Sequence, residues 1–386
     1  MERKRTTFFI LIAVLVGVVL GIFAWRILAP KLGVGIFYYR IDKDKANIFL
    51  LNGQGEGEKV VSINGEEVEI GKYRAPRHSF VSSDNRQLIY FKKTREEVIQ
   101  NFEDNLVASR IFYEPILINL KTGTEKKINQ AIDSASLLFS PDSNSIAWIK
   151  EVQGSTYQDI EKSNIKRELW ISRVDGENPQ LLISFDENVV LLKRWHDDYI
   201  YFQGIFDVNT KSLGRVNIET KQVEYITPQG CDGNLISCQN FSFSLSGNLY
   251  LYEIYSKKND KEITELYLGS FDTKEYKPIL TTDRISDKIW SDNEKEFFYT
   301  EQETIDNQNV KETIHLIDLY EETDKKLYSG SYISQLGHED SSNYLYFLEK
   351  ADSDVINTFK IVRLNIKNQK AETVLTDNYN NILIIQ

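Results

Sequence analysis

The sequence is poor in the residues that most often mark a specialised class of protein. It has 2 cysteines, too few for a disulfide scaffold and without the paired spacing of a zinc site. Its 4 histidines form no recognisable ligand pair, and no glycine-rich phosphate loop occurs. The chain is acidic, with a net charge of −11, and offers no basic surface that could bind the phosphates of a nucleic acid. Nucleic acid is therefore not an expected partner. We therefore expect no cofactor and no metal.

Aromatic residues, by contrast, are abundant. The chain of 386 residues has 21 Tyr and 20 Phe, and 41% of its residues are hydrophobic. Aromatic and β-branched side chains suit the pleated, half-buried surface of a sheet. The composition therefore favours an all-β fold, and the length allows one large β domain.

One long apolar run begins the chain. Residues 6–25 carry no charge, and roughly 20 such residues cross a bilayer as a helix. Basic residues at positions 3 to 5 precede the run, so the positive-inside rule predicts a cytoplasmic N-terminus. A cleaved signal peptide is the alternative, but its apolar core is only about 7–15 residues long. We expect a retained signal anchor at residues 1–30 that contacts the membrane through residues 7–28.

Three small residues recur at every fourth position of this span. Ala13, Gly17 and Gly21 would share one helix face and would permit close pairing of two helices. The alternative is that they are ordinary small residues of a membrane span, and we favour it.

Beyond the anchor, one pattern occurs six times: an apolar stretch, a polar turn and a second apolar stretch. The clearest copy is LLFSPDSNSIAWIK at residues 137–150. There Pro141 presets φ, while Asp142 and Ser143 can bond to nearby amides, which predicts a tight hairpin. The other copies begin at His78, Leu191, Phe241, Lys288 and Gln335.

A second pair of apolar stretches follows each hairpin, and a seventh such pair at Asn47 precedes them all. Gly123 and Gly176 stand at turn positions that tolerate positive φ. Four strands per unit, at a period of about 49 residues, is typical of propeller blades. The chain has seven of these second pairs, one for each blade, so we predict seven blades, with six or eight as alternatives.

Closure of the ring requires one blade built from both chain ends. The apolar segment 381–385 is suited to be the innermost strand of the first blade. An Asn-Gly hairpin signal at Asn64 and Gly65 is the competing feature, because it would give the N-terminal region four strands of its own.

Residues 139–148, FSPDSNSIAW, resemble the TolB-type, WD40-like propeller repeat, in which a Trp or Phe precedes Ser-Pro-Asp-Gly and a short strand. Ser143 replaces the usual Gly. The resemblance covers residues 35–386 and implies a β-propeller. Together with the repeat count, we expect a seven-bladed β-propeller preceded by one transmembrane helix. The motif is a structural turn, so it predicts fold and not activity. The chain is also similar to the propeller of dipeptidyl-peptidase IV-type enzymes. Because it has no Gly-x-Ser-x-Gly motif, we expect that the protein is not an enzyme.

The two cysteines bracket a short segment, CDGNLISC, between two predicted blades. The anchor would place Cys231 and Cys238 outside the cytoplasm, where disulfides persist. We predict a disulfide between them, with free thiols as the alternative.

Three inserts interrupt the repeat between the second and third strands of a blade: residues 94–113, 151–167 and 301–312. The first has apolar residues at near-helical spacing, which predicts a short amphipathic helix; packing on the propeller rim is the alternative. The third insert is acidic, which favours a cationic partner. Loops held by a rigid scaffold often carry binding groups. The predicted partner-face residues are Phe102, Asp104, Tyr157, Glu303 and Asp306.

These features together predict a membrane-anchored, extracytoplasmic propeller that binds or scaffolds a protein, peptide or glycan of the cell envelope. The alternative is a hydrolase or lyase with its site in the central channel. Convergent ionisable residues at one end of the channel would favour that alternative.

Overall fold

The computed structural model describes residues 36–42, 45–51, 57–64, 68–69, 81–99, 108–130, 136–151, 167–185, 189–205, 211–226, 228, 231, 238–258, 261–304, 310–338, 343–351, 358–378 and 382–385. They belong to one compact unit, Gly35–Gln386. Within these ranges no helix is long and apolar enough to span a bilayer. The predicted anchor and its pairing positions Ala13, Gly17 and Gly21 lie outside the described residues.

The described strands pair into seven antiparallel sheets of four strands each, numbered in chain order. Sheet 1 contains β1 (Ile36–Asp42), β2 (Lys45–Leu51), β3 (Gly57–Asn64) and β28 (Ile382–Ile385). Sheet 2 contains β4 (Val68–Glu69), β5 (Gln87–Ile99), β6 (Ala108–Asn119) and β7 (Glu125–Lys127). Sheet 3 contains β8 (Leu137–Phe139), β9 (Ser145–Glu151), β10 (Arg167–Arg173) and β11 (Gln180–Phe185).

The remaining sheets repeat the same order. Sheet 4 contains β12 (Val189–His196), β13 (Tyr199–Ile205), β14 (Lys211–Asn217) and β15 (Val223–Ile226). Sheet 5 contains β16 (Cys238–Phe243), β17 (Leu249–Lys258), β18 (Lys261–Ser270) and β19 (Tyr276–Thr282). Sheet 6 contains β20 (Ile285–Trp290), β21 (Glu296–Thr304), β22 (Val310–Asp318) and β23 (Thr323–Ser331). Sheet 7 contains β24 (Ser334–His338), β25 (Tyr344–Lys350), β26 (Thr358–Asn365) and β27 (Ala371–Asn378).

Both ends of the described chain meet in sheet 1. Strand β28 pairs with β1, with Ile385 opposite Phe37, and contacts β24 of sheet 7. The C-terminal segment therefore supplies the innermost strand of sheet 1, as its sequence predicts. The Asn-Gly hairpin does not form a pair within this sheet, because β3 ends at Asn64 and β4 belongs to sheet 2.

The sheets are arranged as the blades of a propeller. Innermost strands touch their neighbours in the order β8, β12, β16, β20, β24 and β28. Sheet 2 joins this row through Asp84, whose amide donates to the hydroxyl of Ser143 in sheet 3. The chain is therefore an all-β propeller of at least six blades. Closure into a ring of seven remains a prediction, because these contacts link the sheets in a row without joining sheet 1 to sheet 2.

The core lies between neighbouring sheets, not within one of them. Ile146, Ala147, Trp148 and Ile149 in β9 are all buried, so this strand shows no alternation of buried and exposed residues. A strand covered on both faces reads as a continuous apolar run. The run therefore follows from a sheet on either side of the blade.

Candidate functional site

One face of the propeller carries a turn that is repeated between the first and second strands of four blades. In four blades a serine carbonyl accepts a bond from the residue three positions later; these serines are Ser82, Ser140, Ser244 and Ser291. The later residue has positive φ every time, namely 57° at Asn85, 62° at Ser143, 73° at Gly247 and 54° at Glu294. Ser143 therefore adopts the left-handed conformation that usually selects glycine here. We call this side the turn face.

Successive turns on this face bond to one another. The hydroxyl of Ser246 donates to the Glu294 carboxylate of the next blade at 2.8 Å. The guanidinium of Arg194 donates to the Leu245 carbonyl at 3.0 Å. Polar groups of the turn face thus bind neighbouring blades, which gives this face a structural role.

The opposite face holds the starts of the innermost strands and the hairpins between second and third strands. In sheet 2 this hairpin extends until Ile99 lies opposite Ala108. The predicted amphipathic helix in residues 94–113 is therefore wrong, since Val98 and Ile99 belong to β5. Cross-strand hydrogen bonds satisfy the backbone there, and β-branched residues suit a strand.

The hairpin of sheet 6 is also elongated, with Thr304 opposite Val310. Glu303 is exposed on this hairpin. The other predicted partner-face residues lie outside the described residues: Phe102, Asp104, Tyr157 and Asp306.

The acidic character predicted for this insert is smaller than its composition suggests. Glu312 is only 3% exposed, so its carboxyl group is not part of the surface. Glu301 accepts a hydrogen bond from the hydroxyl of Thr282. Two of the acidic side chains of the insert are thus engaged with their own sheet.

The structure pairs Cys231 and Cys238 in a disulfide. Both cysteines are buried, and Cys238 is the first residue of β16. The bridge therefore fixes the start of an innermost strand at the opposite face.

Four consecutive innermost strands are irregular. Pairing with the second strand shifts at Lys193 in β12, at Asn240 in β16, at Ser286 in β20 and at Gln335 in β24. Asn240 and Gln335 have positive φ, 52° and 57°. Such bulges re-aim side chains and occur often beside active sites. They bring polar residues of sheets 4 to 7 to the inner edge of the propeller.

A buried ion pair lies behind two of these bulges. The ammonium of Lys288 in β20 contacts the carboxylate of Glu253 in β17, with side chains 6% and 1% exposed. The amide of Asn240 donates to the same carboxylate at 2.8 Å, and the Tyr255 hydroxyl donates to it as well. Burial, reinforced by Glu253, raises the pKa of Tyr255. The Glu253 carboxylate thus accepts hydrogen bonds from three donors.

Lys193 differs from Lys288 in its surroundings. It is half-buried at the bulge of β12, although protein atoms surround it densely. Burial lowers its pKa to about 8, and the positive charge of Lys288 contributes to the shift.

Glu312 is shifted in the direction opposite to Lys193. Burial raises its pKa, and the charge of Asp287 adds to the increase, while bonds from Ser286 and Gln302 oppose it. Asp287 in turn accepts a bond from the Leu336 amide of sheet 7 at 2.9 Å. The site therefore contains a carboxyl group with a raised pKa and an amine with a lowered pKa.

We call these six residues the inner-strand cluster: Lys193, Asn240, Glu253, Asp287, Lys288 and Glu312. Groups with oppositely shifted pKa values are suited to bind a polar ligand or to exchange protons with one. In the described part of the chain, no group of three or more His, Cys, Asp or Glu is placed to hold a metal ion.

Sequence analysis did not find this cluster, although a signal was present. Lys193 and Lys288 each stand two residues before a tryptophan at the end of an innermost strand, Trp195 and Trp290. Equivalent positions in an ordinary repeat are apolar, because they face a neighbouring blade. Two lysines at one repeat position would have indicated a site, but Glu253, the partner of Lys288, lies on another strand.

No family model matches the chain, and no curated protein matches it. Solved structures do. A prolyl endopeptidase is similar with a TM-score of 0.61 and 10% identity over 92% of this chain, which spans half (50%) of that protein. Oligogalacturonate lyase from Vibrio parahaemolyticus has a TM-score of 0.56 and 12% identity, covering 83% of this chain and 89% of the lyase. TolB from Acinetobacter baumannii has a TM-score of 0.45 and 11% identity, covering 90% and 82%.

These likenesses correct the expectation that the chain is no enzyme. That expectation depended on the missing Gly-x-Ser-x-Gly motif, but propellers of this kind occur in a lyase and in a peptidase. A missing hydrolase motif therefore does not exclude catalysis. At identities of 10–12% the similarity establishes the fold alone, and that fold is a β-propeller.

Proposed function

We propose that this chain is a membrane-anchored β-propeller outside the cytoplasm that binds a protein, peptide or glycan of the cell envelope at its central channel. The observation that carries the proposal is the inner-strand cluster. A buried ion pair and two groups with shifted pKa values lie on or beside the innermost strands of sheets 4 to 6. Such an arrangement is costly for folding and is characteristic of binding sites.

The proposed location depends on two independent features. Residues 7–28 are long and apolar enough for a membrane anchor, and basic residues precede them. The disulfide between Cys231 and Cys238 suits an oxidising compartment. In this proposal residues 1–30 form the cytoplasmic start and the anchor, and residues 35–386 form a closed ring of seven blades.

Elongated hairpins lie on the same face as the entrance to this site. The hairpins of sheets 2 and 6 extend beyond the turn that a blade requires. We propose that they form the rim against which an envelope partner rests, with Glu303 on the exposed surface. Pairing of two chains through Ala13, Gly17 and Gly21 is a separate prediction that this function does not need.

A second candidate function is catalysis in the channel by a hydrolase or lyase. The observation that favours it is the pair of opposite shifts at Lys193 and Glu312. An amine with a lowered pKa can serve as a base, and a carboxyl group with a raised pKa can serve as an acid. Turnover of an envelope polymer that depends on either residue would distinguish this candidate from binding alone.

The location is tested with the full chain expressed in cells. We expect it in the membrane fraction, with the propeller cleaved by protease added from outside and the cysteines alkylated only after reduction. A matched chain beginning at residue 35 should leave the membrane fraction. Recovery of the full chain as a soluble protein, or alkylation of both cysteines without reduction, would contradict the proposal.

A further inference from the structure

The left-handed residue of the repeated turn lies where the preceding blade contacts that turn. In sheet 3 this residue is Ser143, whose hydroxyl accepts a bond at 3.2 Å from the amide of Asp84 in sheet 2. In sheet 6 it is Glu294, whose carboxylate accepts bonds from both the amide and the hydroxyl of Ser246 in sheet 5. Two blades therefore present an acceptor side chain to the turn of the blade before them.

In sheet 5 the same position is occupied by Gly247, and a contact with the preceding blade again accounts for the residue. A β-carbon on Gly247 would overlap the ring of Tyr201, which belongs to β13 of sheet 4. The ring packs directly on the turn, so no side chain fits between them. The residue at the left-handed position is thus matched to its neighbour: glycine where an aromatic ring packs, and an acceptor where an amide needs a partner.

Glycine would suit the backbone of the other two turns better than the residues found there. The φ angle is 62° at Ser143 and 54° at Glu294, and a side chain in this conformation costs free energy that glycine avoids. At Glu294 this cost is offset by two hydrogen bonds to a carboxylate, which are stronger than bonds between neutral groups. The contact with the preceding blade therefore explains a residue that the turn by itself disfavours.

The bond to Glu294 is one of three polar contacts between sheets 5 and 6. The indole of Trp290 donates to the carbonyl of Ser242 at 3.3 Å, and the ammonium of Lys288 contacts Glu253. Lys288 and Trp290 lie on β20, and Glu294 lies in the turn that follows this strand. A displacement of the turn would therefore be transmitted to Trp290 through a few residues of one strand.

We propose that the left-handed residue of the repeated turn is an inter-blade latch, and that Glu294 sets the spacing of sheets 5 and 6 at the turn face. Ser143 is the corresponding latch between sheets 2 and 3. A bond to the neighbouring blade holds the turn in a disfavoured conformation, so the turn can relax only when the two blades separate. A purely local role of the turn predicts the opposite response to glycine, because glycine relieves the backbone.

The experiment compares glycine at two left-handed positions of the full chain in detergent. Glu294→Gly removes the latch. Asn85→Gly is the matched control, since Asn85 has a φ of 57° in the same turn and its side chain forms no hydrogen bond with the described residues. Glu294→Gln is the conservative variant, because a glutamine amide can still bond to Ser246. Urea unfolding gives the stability of each chain.

The second measurement is the indole N–H resonance of Trp290 in chains with ¹⁵N-labelled tryptophan. Its signal is identified by its loss in Trp290→Phe. The indole of Trp170 is the internal reference, because it donates to Glu168 of its own strand at 2.8 Å and contacts no other sheet through this bond. The Trp290 signal therefore reports the spacing of sheets 5 and 6 and not stability as such.

We expect Glu294→Gly to raise the unfolding equilibrium constant about tenfold, because two bonds to a carboxylate are lost. It should also move the indole resonance of Trp290 and leave that of Trp170 in place. Asn85→Gly should change the constant by less than about twofold, since glycine suits the conformation. Glu294→Gln should keep most of the stability, and Glu294→Gly should cost less in a Ser246→Ala chain, where one of the two bonds is already absent.

Two results would overturn the inference. If Glu294→Gly is as stable as Asn85→Gly, the conformation of the turn alone decides its residue, and there is no latch. If Glu294→Gly loses stability while the Trp290 resonance stays in place, the bond is local to the turns and does not set the spacing of the sheets. Neither measurement involves a ligand, so both results are independent of the proposed channel function.

Discussion

The turn face and the opposite face of this propeller differ in how regularly their residues repeat from blade to blade. On the turn face, Ser82, Ser140, Ser244 and Ser291 make the same hydrogen bond in four blades. Away from these turns, the innermost strands of sheets 4 to 7 carry four different residues at their bulges. Repetition of the turn indicates a requirement that these four blades share, namely closure of a hairpin. A position that departs from the repeat indicates a requirement at that position alone, as expected of a ligand-binding site.

The largest effect should follow from breaking the buried ion pair of the opposite face. Glu253→Ala leaves the Lys288 ammonium buried without its partner and should lower the free energy of unfolding by about 3–5 kcal/mol. Urea unfolding measures the change. Glu322→Ala, which removes an exposed pair with Lys277, is the control and should have a much smaller effect. Equal effects of the two variants would mean that the Glu253 pair is open to water.

The disulfide should rank next. Replacing both Cys231 and Cys238 by Ser frees the start of β16 and should lower the free energy of unfolding by about 2–3 kcal/mol, the range expected for a short loop. Adding reductant to the unmodified chain should reproduce the loss, whereas the double variant should not respond to reductant. If the unmodified chain is equally stable with and without reductant, the bridge between Cys231 and Cys238 does not stabilise this face.

A smaller effect is expected at the turn face. The hydroxyl of Ser140 accepts a bond from the Ser145 amide at 2.9 Å and donates to Asp142 at 2.6 Å. Ser140→Ala should therefore cost about 1 kcal/mol, without any change in ligand binding. Thermal and urea unfolding give the cost, with Ser256→Ala on an exposed strand position as the control. A turn variant that abolishes binding but not folding would contradict the division between the two faces.

The smallest effect is a difference in pH dependence at Glu312. Burial raises its pKa in the folded state, so folding binds a proton between the unfolded and folded pKa values. This contribution to stability is complete below the unfolded pKa and is lost as pH rises through the folded pKa. Glu312→Gln cannot titrate, so its stability should fall less over that interval. Parallel unfolding curves of the two chains from pH 4 to 8 would show that Glu312 is solvated.

Local sequence was sufficient for the hairpins but not for the long inserts. The turn at residues 137–150 could be predicted, since its proline, serines and aspartate act on their own backbone. The insert at residues 94–113 was misread as a helix. The spacing of its apolar residues fits the period of a helix as well as that of a strand. The pairing of β5 with β6 makes the segment a strand. The inner-strand cluster was missed because Lys288 and Glu253 are 35 residues apart in the chain.

The sequence by itself determined the all-β class, the four-stranded repeat, the positions of the turns and the pairing of the C-terminal segment with β1. Each depends on patterns that a short segment carries alone, namely period-two apolarity and turn chemistry. Only the tertiary structure decided that Lys288 of sheet 6 pairs with Glu253 of sheet 5, and that burial shifts the pKa values of Lys193 and Glu312. The physical reason is that desolvation and charge pairing depend on distances between blades, and these distances exist only after the blades pack.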